Sequence, residues 1–146
     1  MSYEFEFYHG VALCRLIHDG RASSVKLYSS DSNSGYILNN EIGMYVKYST
    51  KRMTPWQFTF TKVQRDEIFE MMKKLGKVSL ILVCHDDGIV CLNAAEINMI
   101  LSNSVEGMQS ISVGRGPREK YSVSGKDGKL NYKFGDNLFP SKIFNI

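Results

Sequence analysis

Helical spacing of apolar residues marks three segments of the chain. Over residues 4–18, apolar side chains recur every three or four positions, which predicts an amphipathic helix. The same spacing over residues 62–75 predicts a second helix, and Gly76 is a typical residue to end it. A shorter helix is expected over residues 94–101, because Asn93 can cap its first turn.

Short runs of β-branched, aromatic and alternating apolar residues predict the strands. These runs lie at residues 24–29, 35–39, 42–49, 56–61, 78–84, 89–93, 109–113, 121–123 and 130–134. The three runs between residues 35 and 61 are separated by short polar breaks, so we expect them to pair as an antiparallel meander. The Asp87-Gly88 step predicts a hairpin between the runs that flank it.

The run VSLILVC at residues 78–84 is the most hydrophobic in the chain and predicts a buried central strand. A strand this apolar needs cover on both faces, because an exposed run of that size would aggregate. Side chains alternate along a strand. We therefore expect Leu80 and Leu82 to face one long helix, and Ile81 and Val83 to face the opposite side.

Composition places these elements in one domain. The chain has 146 residues, of which 43% are hydrophobic and 23% are charged, so one domain with an ordinary core is expected over residues 1–146. The order of elements predicts an α/β (α+β) fold with a mixed central β-sheet flanked by two or three helices. No apolar run reaches the roughly 18 residues that a membrane span needs, so no membrane partner is expected.

Cysteine usage and the first residues indicate a compartment. The cysteines are Cys14, Cys84 and Cys91, an odd number without a CxxC pair. The start of the chain is acidic and lacks the basic and then apolar pattern of a signal peptide. We therefore expect reduced thiols in the cytoplasm, with Cys84 and Cys91 buried in their strands rather than binding a metal.

Charge is segregated along the chain, although the net charge is only +3. Residues 47–77 carry eight basic and three acidic side chains, residues 78–114 carry no Lys or Arg, and residues 115–133 carry six basic and two acidic ones. This pattern favours a basic face that binds phosphate, although basic side chains spread over the surface would give the same counts. The glycine-rich stretch 114–118 is expected to be a basic hairpin tip.

The stretch KYSTKRMTPWQFTF, residues 47–60, is the most distinctive in the chain. Basic residues interleaved with aromatic ones suit single-stranded nucleic acid, because cations meet phosphates while bases stack on rings. The candidate nucleic-acid-binding residues are Lys47, Tyr48, Lys51 and Arg52. The structural alternative is an exposed turn at Lys51 and Arg52, with Trp56 packed in the core as part of an alternating strand.

The N-terminal helix, the strands that follow it and the triplet Tyr45-Val46-Lys47 together resemble the core of the PD-(D/E)XK nucleases, the restriction-endonuclease-like fold. In this family a helix precedes a hairpin, a metal-binding Asp starts the second strand, and an acid-x-Lys triplet lies on the third. A further helix and an apolar strand follow. The resemblance covers about residues 5–92.

Carried over position by position, the resemblance implies a degenerate site. Lys47 matches the family lysine, whereas Tyr45 stands where the second acid belongs. Asn39 is the best match for the first acid, and Glu41 is the nearest carboxylate. The helix acid of some members falls near Glu4, Glu6 or His9. An amide and a phenol do not replace the carboxylates that hold magnesium, so no metal site and no cofactor are expected.

These observations leave three functional hypotheses. The first is a small nuclease-like domain that binds nucleic acid, with weak or absent cleavage. The second is a non-catalytic protein-interaction module, a partner-binding or inhibitor subunit whose many Met, Phe and Tyr residues serve an interface. The third is an active magnesium nuclease that uses Lys47, Glu41 and Asn39. Convergence of these three residues on one exposed cleft would separate the third hypothesis from the others.

Overall fold

Helices and strands follow one another along the chain largely in the order that the hydrophobic pattern predicts. The computed structural model describes residues 3–125 and 128–145. In chain order its elements are α1 (Tyr3–Asp19), β1 (Val25–Tyr28), β2 (Gly35–Leu38), β3 (Ile42–Ser49), β4 (Trp56–Phe60), α2 (Lys62–Leu75), β5 (Lys77–Cys84), β6 (Gly88–Asn93), α3 (Ala94–Ile100), β7 (Gln109–Gly114), β8 (Ser122–Gly125) and α4 (Ser141–Phe144). The predicted α+β domain with a mixed central sheet is confirmed.

Five strands form the central sheet in the order β1, β2, β3, β5, β6. β3 and β5 run parallel, and each of the other neighbouring pairs is antiparallel. A parallel pair requires a crossover connection, which contains α2 here. β3 and β5 therefore end on the same side of the sheet, where Ser49 lies beside Cys84. We call this side the C-terminal edge.

Both faces of β5 are buried, as its uninterrupted apolar run predicts. Leu80 and Leu82 pack in the cluster that contains residues of α2, whereas Ile81 and Val83 pack in the cluster that contains residues of α1. These four side chains are at most 1% exposed. Burial of one such side chain is worth roughly 1.5–3 kcal/mol, so β5 is a principal source of stability.

The ends of α2 are fixed by local sequence signals. Thr61 Oγ1 accepts a hydrogen bond from the backbone N of Gln64 at 3.2 Å, and Gln64 Oε1 accepts one from the backbone N of Thr61 at 3.0 Å. This reciprocal pair is a capping box, which satisfies two donors at the helix start. At the other end, Gly76 has a φ of 76°, a left-handed conformation that suits glycine, and donates to the Met72 carbonyl.

A second sheet of three strands corrects the last part of the predicted meander, since β2 and β3 pair antiparallel as expected but β4 lies elsewhere. β4 does not join β3 but pairs with β7, which in turn pairs with β8. The position beside β3 is occupied by β5, whose two apolar faces require a central place, whereas β4 is buried on one face only. A half-buried strand suits a small antiparallel sheet with one solvated side. The inward residues of β4 are Trp56, Phe58 and Phe60, so the core position expected for Trp56 is confirmed.

The segment after β8 is mostly irregular, so the predicted strand at residues 130–134 is wrong. In this described stretch, Phe134 forms an isolated bridge with Tyr121, and no regular strand is present. Leu130 and Phe134 are 2% and 1% exposed, whereas Tyr132 between them is 49% exposed. The apolar residues therefore anchor a loop to the core rather than alternate along a strand.

A buried arginine holds another irregular segment. Arg65 in α2 is 0% exposed. It donates hydrogen bonds of 2.6–2.7 Å to the backbone carbonyls of Phe60, Val105 and Gly107. Because these acceptors lie before α2 and before β7, Arg65 joins the loop at residues 105–107 to the main core.

A buried glutamate fixes the C-terminal helix. Glu96 in α3 is 4% exposed and forms a capping box with Asn93, which caps the helix as the sequence predicts. Its carboxylate also accepts hydrogen bonds at 2.6 Å from Lys142 Nζ and from Tyr132 Oη. α4, which carries Lys142, is thereby held against the rest of the domain. The helix also buries its own residue Ile143.

The cysteines of the strands are buried as predicted. Cys84 and Cys91 are free and at most 1% exposed. Burial raises the pKa of each thiol to about 12 and keeps it protonated. Cys14 is exposed on α1. Among the described residues, no helix combines the length and the apolar character needed to cross a membrane.

Candidate functional site

Lys47 lies near the C-terminal end of β3 and is half-buried. Its Nζ donates a hydrogen bond of 3.3 Å to Gln64 Oε1 in the first turn of α2, and it lies 5.0 Å from the centre of the Phe60 ring. Burial lowers the pKa of this ammonium. In the described part of the chain no carboxylate forms an ion pair with it. Lys47 is therefore a partly desolvated cation without a compensating anion.

A cavity of about 380 Å³ surrounds Lys47. The side chains that line it come from α1, the loop before β2, β3 and α2, and they are Phe5, His9, Ser32, Ser34, Val46, Lys47, Tyr48 and Gln64. We call it the Lys47 cavity. One ammonium, one imidazole, three hydroxyls and one amide line it, which is a set of groups that can donate hydrogen bonds to an anion.

His9 is the buried member of this set. It is 3% exposed, and its Nδ1 lies 2.7 Å from the hydroxyl of Tyr36. The ring of Phe5 stacks on it at a centroid distance of 3.8 Å. Burial lowers the pKa of His9 to about 4, so the imidazole is neutral near pH 7 and adds no charge to the cavity.

A hydrogen-bond network behind the cavity uses the carboxylate of Glu67. Its Oε1 accepts from Tyr45 Oη at 2.8 Å and from Ser32 Oγ at 2.6 Å, and its Oε2 accepts from the backbone N of Ser32 at 3.3 Å. Burial raises the pKa of Tyr45, so the phenol stays neutral and donates. Tyr45 thus anchors the loop before β2 to α2.

Asn39 and Glu41 do not converge with Lys47. They lie in the turn between β2 and β3, where Leu38 pairs with Ile42. Glu41 precedes Lys47 by six positions, a separation of roughly 20 Å at about 3.3 Å per residue of extended chain. Asn39 instead accepts hydrogen bonds from the backbone of the chain segment before β1. The expectation placed these residues at the wrong end of the hairpin.

The antiparallel register explains this correction. Gly35 at the start of β2 pairs with Tyr45, so the chain just before β2 lies beside the end of β3. The backbone N of Val46 donates to the Ser34 carbonyl at 2.9 Å. A strand-start acid would therefore face Lys47 only from about residues 32–34, where this chain has Ser32, Asn33 and Ser34.

The other candidates of the basic and aromatic segment lie at the C-terminal edge. Tyr48 stacks on Tyr8 at 4.9 Å with an interplanar angle of 17°, so a side chain of the protein covers one face of its ring. Lys51 and Arg52 are exposed in the loop after β3. Trp56 Nε1 donates to the Lys51 carbonyl at 2.8 Å and fixes this loop on the core.

A larger cavity of about 670 Å³ opens beside that loop. Its basic lining residues are Arg52, Arg115, Arg118 and Lys120. We call it the basic cavity. The backbone N of Arg115 donates to Thr54 Oγ1 at 3.1 Å, which joins the loop after β7 to the loop after β3. Residues from both basic blocks of the sequence, one before and one after residues 78–114, therefore meet at the basic cavity, as a basic face requires.

The acidic residues of the basic cavity are already paired. Arg115 forms ion pairs with Asp87 at 2.9 Å and with Asp136 at 3.3 Å. Glu119 pairs with Lys133 at 2.8 Å. Within residues 3–125 and 128–145, no ion pair involves Arg52, Arg118 or Lys120. Arg52 is near enough to the exposed Asp86 to interact with it electrostatically, but no contact ion pair neutralises any of the three, so they can bind an external anion.

The Lys47 cavity does not suit magnesium, which the resemblance implies for an active nuclease. Mg²⁺ is usually held by one or two carboxylates, and no carboxylate is among the residues that line the cavity. Glu67 lies behind it, and both of its oxygens accept hydrogen bonds from the protein. In the part of the chain that the structure describes, no group of three or more His, Cys, Asp or Glu side chains could hold a metal ion.

Comparison with known proteins identifies no relative. No protein-family model matches the chain, and no curated protein or solved structure is significantly similar to it. The functional assignment therefore depends on the geometry of the two cavities.

Sequence reasoning missed most residues that surround Lys47. Gln64 and Glu67 are one helical turn apart on α2, and this i, i+3 spacing is a signal that both face the same strand. Ser32 and Ser34 lie in a polar loop and have no distinguishing pattern. Arg118 and Lys120 belong to the second basic block, but only the fold brings that block to Arg52.

Proposed function

We propose that this chain is a nucleic-acid-binding domain with a nuclease-like core that does not cleave. One observation carries the proposal: Lys47, a partly buried cation without an acidic partner, lines a cavity at the edge of the sheet where the exposed Lys51 and Arg52 also lie. A lysine binds phosphate as a point charge, and exposed basic residues add long-range attraction. The expected ligand is the phosphate backbone.

The order of elements supports the nuclease-like part of the proposal. α1, the hairpin of β1 and β2, β3, α2 and the apolar β5 follow one another as the resemblance implies, with β4 inserted before α2. Lys47 is on the third of these strands, as the family lysine would be. A cytoplasmic location goes with this proposal, because the buried thiols of Cys84 and Cys91 are unpaired.

Cleavage is not part of the proposed function because the chemistry that it needs is missing around Lys47. Metal-dependent nucleases use the ion to activate water and to stabilise the leaving oxygen. Hydroxyl, amide and imidazole groups bring no negative charge to hold that ion. The same groups leave the positive charge of Lys47 uncompensated, which favours retention of a phosphate.

Binding is tested by fluorescence anisotropy with a labelled single strand at two salt concentrations. Each phosphate contact should contribute about −0.7 to the slope of log K against log salt. The Lys51→Ala/Arg52→Ala variant should bind more weakly and with a slope reduced by about 1.4. The matched control is Lys73→Ala/Lys77→Ala, which removes two exposed cations at the end of α2 and the start of β5, away from the C-terminal edge.

Absence of binding by the wild-type chain at low salt would refute the proposal. If the Lys51→Ala/Arg52→Ala variant and its control lose equal amounts of affinity, the assignment of Lys51 and Arg52 is refuted. Binding would then depend on the overall positive charge and not on these two residues. Cleavage is tested separately by plasmid nicking and by calorimetry with Mn²⁺. We expect neither nicking nor a tight metal site. Metal-dependent nicking that Lys47→Ala abolishes would contradict this and restore the active-nuclease hypothesis.

A protein-interaction module is the second candidate, and the outer side of α1 favours it. Tyr3 is 82% exposed, Phe7 68% and Val11 38%, and their i, i+4 spacing places them on one side of the helix. Exposed apolar groups arranged in a row mark interaction sites. For a second copy of this chain as the partner, Phe7→Ser/Val11→Ser should convert a dimer to a monomer in sedimentation. A monomeric wild type at high concentration would exclude that partner.

A further inference from the structure

The basic cavity joins two loops that are far apart in the sequence. Arg52 lies in the loop after β3, whereas Arg115, Arg118 and Lys120 lie in the loop after β7. The hydrogen bond from the Arg115 backbone to Thr54 holds these loops together at the C-terminal edge. The resulting concave site shares no lining residue with the Lys47 cavity. The loop after β7 lies outside residues 5–92, which the nuclease-like resemblance covers.

Arg115 is the fixed support of this site. Its guanidinium bridges the carboxylates of Asp87 and Asp136 and lies 4.4 Å from the centre of the Tyr121 ring. The hydroxyl of Tyr121 donates to Asp87 at 2.5 Å, so three side chains hold Arg115 in one geometry. Because two carboxylates neutralise Arg115, the cations left to bind an anion are those of Arg52, Arg118 and Lys120.

We propose that the basic cavity is a second phosphate-binding site, and that one nucleic-acid strand extends from the Lys47 cavity across Lys51 and Arg52 into it. This inference rests on the proposed function. Arg52 provides the continuity, since it lines the basic cavity and lies five residues after Lys47 in the chain. A strand carries regularly spaced phosphates and can reach both sites, which a single small anion cannot.

Recognition at this site is independent of base sequence. Trp56, an aromatic residue of the basic cavity, is 2% exposed, and the ring of Tyr48 near the Lys47 cavity is covered on one face by Tyr8. Base stacking on open rings is the usual addition to phosphate contacts in single-strand binding. With Trp56 buried and one face of the Tyr48 ring covered, phosphate contacts supply most of the affinity, and homopolymeric strands of different bases should bind alike at equal salt.

Two linked sites predict a dependence on strand length. A strand that spans both sites gains from the effective concentration of its second contact, whereas a short strand fills one site at a time. The experiment measures anisotropy with oligothymidines of about 4, 8, 12 and 16 nucleotides, a range typical of single-strand sites. Wild-type affinity should rise steeply once both sites are spanned.

The test variant is Arg118→Asn/Lys120→Gln. Asparagine is chosen because Arg118 has a φ of 62°, a conformation that asparagine tolerates better than most residues. This variant should bind the shortest strand like the wild type, lose the gain with length, and show a salt slope for the longest strand reduced by about 1.4. The charge-matched control Lys73→Gln/Lys77→Gln should retain both properties, and circular dichroism should show both variants folded.

Each alternative outcome has a defined meaning. If Arg118→Asn/Lys120→Gln keeps the wild-type length dependence and slope while Lys51→Ala/Arg52→Ala weakens binding, the second site is refuted and the proposed function stands. If the wild type binds no strand of any length at low salt, both are refuted. If binding by the wild type does not rise with length, one strand does not span the two cavities.

Discussion

Burial of neutral His9 makes the stability of the domain depend on pH. The imidazole is 3% exposed, is hydrogen-bonded to Tyr36 and is stacked under Phe5, and burial lowers its pKa to about 4. In the unfolded chain the pKa returns to about 6.5. Between these two values the unfolded chain binds a proton that the folded protein excludes. The free energy of unfolding should therefore fall as the pH drops from about 6.5 towards 4.

The size of this effect follows from the two pKa values. Proton linkage between a pKa of about 4 in the folded state and about 6.5 in the unfolded state removes about 2 kcal/mol between about pH 7.5 and pH 5. The full difference, reached below about pH 4, is about 3 kcal/mol. Either value is a large part of the 5–15 kcal/mol that stabilises an ordinary domain.

The assay is urea unfolding at about pH 7.5 and pH 5, followed by far-ultraviolet circular dichroism. His9→Gln replaces the titrating ring with an amide that can still accept a hydrogen bond from Tyr36. The wild type should lose about 2 kcal/mol more than this variant between the two pH values. His18→Gln, which changes an exposed histidine of the same helix, is the control and should follow the wild type. Equal pH dependence in the wild type and in His9→Gln would refute the reasoning.

Five further substitutions test the core and the segments attached to it. Leu82→Ala and Ile81→Ala should each lower the free energy of unfolding by about 2–5 kcal/mol, because each leaves a cavity on a covered face of β5. If either variant is as stable as the wild type in chemical denaturation, the corresponding face of β5 is open. Arg65→Met should lower the free energy of unfolding by about 3 kcal/mol and speed hydrogen exchange at residues 105–107, because three carbonyls lose their donor. Unchanged exchange there would show that Arg65 does not hold this loop to the core. Glu96→Gln and Lys142→Met should each cost about 2 kcal/mol in thermal unfolding. Additive losses in the double variant would show that the two side chains are not coupled.

The elements with strong local signals could be predicted from the sequence. α2 has a cap at each end and one apolar side, and β5 is an uncharged apolar run that only a central position can satisfy. The two faces of β5 followed from strand alternation alone. Such features depend on residues that are only a few positions apart in the chain. The local pattern of apolar and polar residues is therefore sufficient to predict them.

The arrangement around Lys47 could not be predicted in the same way. Which end of the β2–β3 hairpin meets Lys47 depends on the direction of pairing and on the register, and the local pattern fixed neither. The sequence therefore points to Asn39 and Glu41 for the position of the first acid, and these residues lie at the far end of the hairpin. The partners of Lys47 come from α1, the loop before β2 and α2, and their meeting is a property of the packed fold.

The pairing of β4 with β7 has a consequence for biosynthesis. β4 leaves the ribosome before α2, but its hydrogen-bonding partner β7 begins only at Gln109. A nascent chain that has not reached this point can form the parallel pair of β3 and β5, but it has no strand to receive Trp56, Phe58 and Phe60. These rings then stay exposed to solvent as an apolar segment of the kind that chaperones bind. Trp56 is the only tryptophan of the chain, and its ring centre lies 6.0 Å from that of Tyr121. Its emission therefore reports when the chain from β7 onward packs against β4.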